Sequence, residues 1–373
     1  MAASKFPSSL LVYFIVIVFV VCMQICKGNP KIPLPKLHVP LFIFGDSVFD
    51  AGNNNYINTT STFQSNFWPY GETFFNFPTG RFSDGRLIPD FIARYANLPF
   101  IHPYLNPKNK NYVHGVNFAS AGAGALVETQ QGFVIDLKTQ LSYFNKVTKV
   151  IEEIGGHEAG AKALLSRAVY LIDIGSNDYL VPFLTNSTLF QSHSPQQYVD
   201  LVIRNLTTVI KGIYKNGGRK FAFLGVGPLG CYPLVKAVIL QGKDECFDEI
   251  TELAKLHNTH LYKTLLHLEK ELEGFVYTYF DAFTVVIELL NNPAKYGLKE
   301  GKVACCGSGP FRGSFSCGGR NGEEYKLCNN PSQHLFFDAA HFTDKANQLY
   351  AELLWNGNLQ TIKPYNLKTL FHV

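Results

Sequence analysis

The sequence predicts an α/β domain built on a central, mainly parallel sheet, and three observations carry the prediction. Short apolar runs recur at Leu41–Phe44, Val116–Ala119, Val169–Ile174, Phe221–Leu224 and Phe275–Phe280, and each leads into Gly, Asp or Ser. Runs that are apolar nearly throughout, rather than alternating, are how strands buried on both faces read. Segments with helical apolar spacing lie between them, as parallel strands joined by crossover helices require. The composition is that of a folded chain: 46% of the 373 residues are hydrophobic and 17% charged, without the charge bias of disorder.

In chain order, Lys5 comes first, followed by the apolar run Leu10–Met23. That length suits a signal-peptide core and is short for a membrane span. Cys26-Lys27-Gly28 sets small residues at −3 and −1 of a cut after Gly28. Residues 1–28 therefore read as a signal peptide, with an uncleaved anchor as the alternative, and residues 29–373 as one domain. No later stretch is apolar enough to form a stable membrane span. Leu87–Ala96 places Leu87, Phe91, Ile92 and Tyr95 on one helical face. Tyr198–Tyr214 repeats that spacing, and Glu252–Leu272 carries a stripe of Leu253, Leu256, His257, Leu261, Leu265 and Leu268. Thr343–Trp355 is expected to close the chain as a last helix. The net charge of +4 comes from scattered residues, and no Lys/Arg block points to nucleic acid. Nothing in the sequence specifies an oligomeric state.

Beyond residue 28 six cysteines remain: Cys231, Cys246, Cys305, Cys306, Cys317 and Cys328. An even count in a secreted chain suggests disulfides. Six cysteines allow 15 pairings, so the sequence does not fix the connectivity; local loops favour Cys231 with Cys246, and Cys305 and Cys306 with Cys317 and Cys328. A zinc site built from those last four is the competing reading, although CxxC spacing is missing. Sequons at Asn58, Asn186 and Asn205 fit secretion, to the extracellular space or a vacuole.

Sites in such sheets gather at the carboxyl ends of the strands, and every candidate residue sits beside one or on the last loop. Leu41–Phe44 runs into Gly45-Asp46-Ser47. A turn or helix opening there leaves backbone N–H groups around the serine oxygen; otherwise Ser47 is an N-cap. Phe336-Phe337-Asp338-Ala339-Ala340-His341 supplies a base and an anion to orient it, which a serine hydroxyl needs before it can attack. Gly175-Ser176-Asn177-Asp178 offers the Asn177 side-chain amide, and Gly122 a backbone N–H without side-chain obstruction. With the Ser47 N–H these make three donors for an oxyanion.

Together the blocks GDS, Gly, GxND and DxxH, in this order, resemble the plant branch of the GDSL (SGNH-hydrolase) esterase/lipase family. Phe44–Asn54, Pro78–Arg86, Gly225–Pro233 and Ala304–Gly307 resemble its further signatures, so the likeness spans nearly all of 29–373. It implies a flavodoxin-like three-layer SGNH-hydrolase fold. It also implies Ser47 as nucleophile, His341 as base, Asp338 as its orienting partner, and Ser47, Gly122 and Asn177 as the oxyanion hole. Three positions depart from the family pattern. Val48 replaces the Leu of its name, Asp84 stands where Asn is usual, and Phe342 follows His341 where a small residue is common. Phe342 is expected to narrow the pocket mouth.

Other motifs are set aside. Gly225–Gly230 matches GxGxxG, but it follows a late strand and Pro228 and Pro233 disfavour a helix opening there. Ser120 lacks the first small residue of an α/β-hydrolase elbow. His257 and His260 have no metal-ligand company. Trp68 and the aromatic stretch Phe63–Phe77 are expected in the core before an acyl pocket. The expected chemistry is hydrolysis of a small acyl ester or lipid through an acyl-enzyme, with no cofactor. Acyl transfer by the same residues, or a non-catalytic binding role on the same fold, are the alternatives.

Overall fold

The computed structural model describes residues 38–373, except 109–110, 155–157 and 186. The signal-peptide segment and the Asn186 sequon lie outside the described residues. Four of the five apolar runs become the parallel strands β1 (Leu41–Gly45), β2 (Val169–Asp173), β3 (Lys220–Leu224) and β4 (Val276–Phe280), adjacent in that order. The register sets aromatic side chains side by side. Phe42 stacks on Tyr170 at 5.5 Å, Tyr170 on Phe221 at 5.3 Å, and Phe221 on Phe275 at 4.8 Å. Such pairs stabilise the sheet by about 0.5–1.5 kcal/mol each beyond the area they bury.

The fifth run, Val116–Ala119, is not a full strand. It lies parallel to β1, with Ile43 N–H donating to Val116 O, Phe118 N–H to Ile43 O and Ser120 N–H to Gly45 O. The ladder is interrupted at Gly45, whose N–H goes to the Gln140 side chain at 2.9 Å instead of to this segment. With this segment counted, the chain-order positions across the sheet run 2-1-3-4-5, the flavodoxin-like order.

The helices α1 (Ile88–Tyr95), α2 (Leu137–Ile154), α3 (Glu158–Arg167) and α4 (Ser176–Thr185) are followed by the single turn α5 (Thr188–Gln191). The long helix α6 (Pro195–Lys215) then starts at a capping box, Ser194 with Gln197. The rest are α7 (Pro233–Val238), α8 (Asp248–Glu271), α9 (Ala282–Asn291) and α10 (Asp344–Asn356). The strongest helix contacts fall in two groups: α2, α6, α8 and α4 in one, α1 and α10 in the other. Helices on both faces of the sheet give the three layers. The Thr343–Trp355 pattern does not end the chain. Beyond it β7 (Ile362–Lys363) pairs antiparallel with β4, and α11 (Leu367–His372) follows. Among the described residues no helix is long and apolar enough to cross a membrane.

Disulfides join Cys231 to Cys246, Cys305 to Cys328 and Cys306 to Cys317. The last two bonds overturn the zinc reading, since sulfurs bonded to each other are not thiolate ligands. They clamp a ribbon whose short strands β5 (Cys306–Gly307) and β6 (Lys326–Leu327) pair antiparallel. Asn58 is exposed in a bend. Asn205 lies within α6, where its amide donates to Leu201 O at 2.9 Å.

Candidate active site

Ser47 stands just beyond the carboxyl end of β1, and no helix opens there. Gly45 adopts φ +149°, and an added Cβ would run into the Asp173 carbonyl, so only glycine fits the exit from the strand. Gln140 on α2 fixes that glycine, accepting its N–H at 2.9 Å and donating back to its carbonyl at 2.8 Å. In the turn that follows, Asp46 Oδ1 accepts the Val48 N–H at 3.0 Å, and Asp46 O accepts those of Phe49 and Asp50. The Ser47 N–H is left with no acceptor among the described residues.

Gly122 lies past the Val116–Ala119 segment, on the other side of β1. The block after the serine staples its loop in place. Asp50 accepts the Ala121 N–H at 3.0 Å, Asn53 donates to Asn117 O and Ala119 O, and Asn54 donates to Ala121 O. The Gly122 N–H also lacks an acceptor among the described residues. At φ +84° an added Cβ would sit 2.5 Å from the Phe63 ring. Asn177 is in the first turn of α4, directly after β2. Its amide donates to Ala123 O at 2.9 Å and to Asp46 Oδ2 at 3.2 Å. Ser47, Gly122 and Asn177 thus come from the ends of three neighbouring chain segments at the point where the strand order reverses, the expected place for a ligand crevice.

Asp338 and His341 come from a loop closed by Phe337 N–H donating to His341 O. It is anchored beyond by Thr343, which caps α10, and by Asp84, which accepts the Asp344 N–H at 2.7 Å. This places His341 Nε2 2.8 Å from Ser47 Oγ and His341 Nδ1 2.7 Å from Asp338 Oδ1. The carboxylate holds the proton on Nδ1, which leaves Nε2 to accept from the serine hydroxyl. Asp338 is 1% exposed and His341 8%. Burial alone would raise Asp338, yet its pKa is held at about 2. The charge and hydrogen bond of His341, the Arg320 guanidinium and the Ala340 N–H account for this. Asp46 goes the other way. Burial raises it to about 7 against the Val48 hydrogen bond and the His341 charge. Asp173, behind it, is pushed higher still by burial and by Asp46.

The serine opens onto a cavity of about 230 Å³. Phe63, Leu180, Val181 and Leu184 form an apolar wall, and Phe82, Phe315 and Phe342 surround the histidine end. Phe342 does not stand at the mouth. It is 7% exposed and packs on Phe336 and Tyr350, 5.4 Å from each, because the bend after His341 turns it toward the core. The GxGxxG segment contributes Leu229 to the cavity wall, followed by Tyr232. Ser120 is fully buried and occupied structurally, donating to Asn54 and accepting from Ile135 N. His257 is buried against Tyr179 at 2.8 Å, and burial lowers its pKa to about 3.

The aromatic stretch Phe63–Phe77 divides three ways instead of filling the core. Phe63 lines the cavity, whereas Trp68, Phe74 and Phe77 are 53%, 41% and 59% exposed. Tyr70, fully buried, donates its hydroxyl to Asp338 Oδ2 at 2.7 Å. Reading the sequence missed it; the one local sign is a tyrosine set between Pro69 and Gly71, where a turn aims a single side chain inward.

The GDSL-like lipase/acylhydrolase family matches residues 41–354. GDSL esterase/lipase 2 of Arabidopsis thaliana is 53% identical over 98% of this chain and 98% of its own. GDSL esterase/lipase 1 of the same plant is 55% identical over 89% and 90%. A GDSL lipase of Tanacetum cinerariifolium is 48% identical over 96% and 93%. A solved GDSL-like lipase from Parabacteroides merdae covers 86% of this chain and 96% of its own at 12% identity, with a TM-score of 0.36.

Proposed function

On the premise that this chain belongs to the GDSL-like lipase/acylhydrolase family and is a carboxylic ester hydrolase, we propose that it works through an acyl-enzyme formed on Ser47. Ser47 Oγ attacks the ester carbonyl carbon while its proton passes to His341 Nε2. Asp338 stabilises the imidazolium through Nδ1–H without taking that proton. The negative charge on the carbonyl oxygen is held by the N–H groups of Ser47 and Gly122 and by the Asn177 amide. Collapse expels the alcohol, which takes the proton from His341. Water, deprotonated by the same imidazole, then releases the acid and restores the serine.

The observation that supports this reading best is the hydrogen-bonded line Ser47–His341–Asp338, ending at an apolar cavity beside two backbone N–H groups with no acceptor among the described residues. The apolar wall favours an acyl group of a small ester or a lipid over a polar substrate. Ser47→Ala tests it: turnover of a short p-nitrophenyl ester falls by up to about 10⁶-fold. Full activity in a folded Ser47→Ala protein overturns it.

The same reading places residues 29–373 on the secretory route as a single-domain chain, to the extracellular space or a vacuole. The three disulfides support an oxidising compartment. Asn58 is the exposed glycan acceptor. An N-terminus at Asn29 on secreted material is the expected mass-spectrometric result.

A further inference from the structure

Resting on that reading, we propose that Arg320 is a positioning residue, a buried cation that acts on the Ser47–His341–Asp338 line from behind, by way of Tyr70. Arg320 is 3% exposed and has no carboxylate partner among the described residues. Its Nη2 donates to Gln64 O at 2.8 Å, while Nε and Nη1 find no acceptor among the described residues. Four rings enclose the guanidinium instead: Phe315 at 4.2 Å, Phe67 at 5.2 Å, Tyr70 at 5.3 Å and Phe82 at 5.4 Å. Burying a charge without a paired anion is costly. The compensation lies one side chain away, where the Tyr70 hydroxyl donates to Asp338 Oδ2.

The cage also touches the base. Phe82 packs on the His341 ring at 4.6 Å and Phe315 at 6.2 Å. The disulfide ribbon delivers the cation. Arg320 follows Cys317 by three residues, and the Cys305 and Cys306 N–H groups donate to Phe336 O and Phe337 O, immediately before Asp338. Gly318 allows the close approach, since an added Cβ would meet the Phe67 ring at 2.5 Å. The charged and titratable groups facing the His341–Asp338 pair are then Ser47, Asp46, Tyr70 and Arg320. Arg320 is the one fixed positive charge among them.

A positive charge there disfavours protonation of His341. Arg320→Met therefore moves the acid limb of the kcat/KM profile toward higher pH by about one unit, which lowers kcat/KM at pH 7 by about threefold for an ordinary histidine. Arg320→Lys restores the limb. Tyr70→Phe moves it in the same direction by less, and serves alone if Arg320→Met does not fold. The measurement is kcat/KM on a short p-nitrophenyl ester from pH 5 to 9, with melting temperature in parallel. Loss of stability and rate with the limb unmoved in both variants overturns the proposal and leaves Arg320 a packing residue. Failure of the serine mechanism itself shows differently, as turnover surviving Ser47→Ala.

Discussion

Asn177→Ala probes the part of the site where the structure alters the simplest expectation. A free oxyanion donor contributes about 10²–10³-fold to kcat. Asn177 is not free: both its amide protons are engaged, one on Ala123 O at 2.9 Å and one on Asp46 Oδ2 at 3.2 Å. The second bond lies at the long limit of hydrogen-bond geometry. An alkoxide forming on the carbonyl oxygen can draw that proton away, exchanging a long bond for a short, charge-assisted one. The gain is the difference between the two bonds, so the loss on truncation belongs at the low end, about 10²-fold or about 2.7 kcal/mol. KM should change less than about threefold, because the uncharged carbonyl competes poorly for the proton. Asp46 adds a pH signature. Its carboxyl, raised to about 7 by burial, holds the amide more tightly once ionised, so the ratio of wild-type to variant kcat should shrink above pH 7. Steady-state kinetics on a short p-nitrophenyl ester from pH 6 to 9 gives all three numbers. An unchanged kcat with a raised KM refutes the reasoning and makes Asn177 a ground-state binding residue.

Asp338→Asn should fold, because an amide oxygen can take over the three N–H bonds on Oδ1 and its NH₂ can donate to the Tyr70 oxygen; with the charge gone, kcat should fall by about 10⁴-fold, and a loss under tenfold contradicts the role. Gly122→Ala should lower kcat by about tenfold or more, through the left-handed strain of about 1–2 kcal/mol and the displaced Phe63 ring; wild-type kinetics in the variant tell against Gly122 as a donor. Asp173 is raised by burial and by Asp46, so the stability associated with its protonated form is complete below the unfolded pKa and is lost as pH rises through the folded one. Asp173→Asn should therefore flatten the fall in melting temperature between pH 5 and 8, removing about 1.4 kcal/mol per pH unit; parallel curves for the two proteins count against it.

The sheet was legible because each strand is short, continuously apolar and followed by a turn residue, a pattern that burial on both faces imposes. Val116–Ala119 had the same look, but Gln140 takes the Gly45 N–H that would continue its ladder with β1, and no apolar pattern reveals that. The helices α2 and α4 escaped notice. α2 carries an unbroken stripe, Leu137, Leu141, Phe144, Val147 and Ile151, that a search for apolar runs passes over, whereas Pro182 interrupts α4. The residues proposed as triad and oxyanion donors stood out as candidates because such chemistry needs particular residue types at strand ends, which sequence order preserves. Tyr70 and Arg320 were not, since they lie 268 and 18 residues from Asp338 along the chain. Only the folded disulfide ribbon and the Pro69–Gly71 turn bring them behind it. The aromatic stretch misled because composition cannot say which rings a turn faces inward.

The most direct test of acyl-enzyme chemistry at Ser47 is intact-mass analysis after reaction with a fluorophosphonate, followed by peptide mapping. One adduct per chain should form and map to Ser47. It should form far more slowly in His341→Ala and not at all in Ser47→Ala. An adduct on any other serine, or labelling that persists in folded Ser47→Ala, would contradict the mechanism.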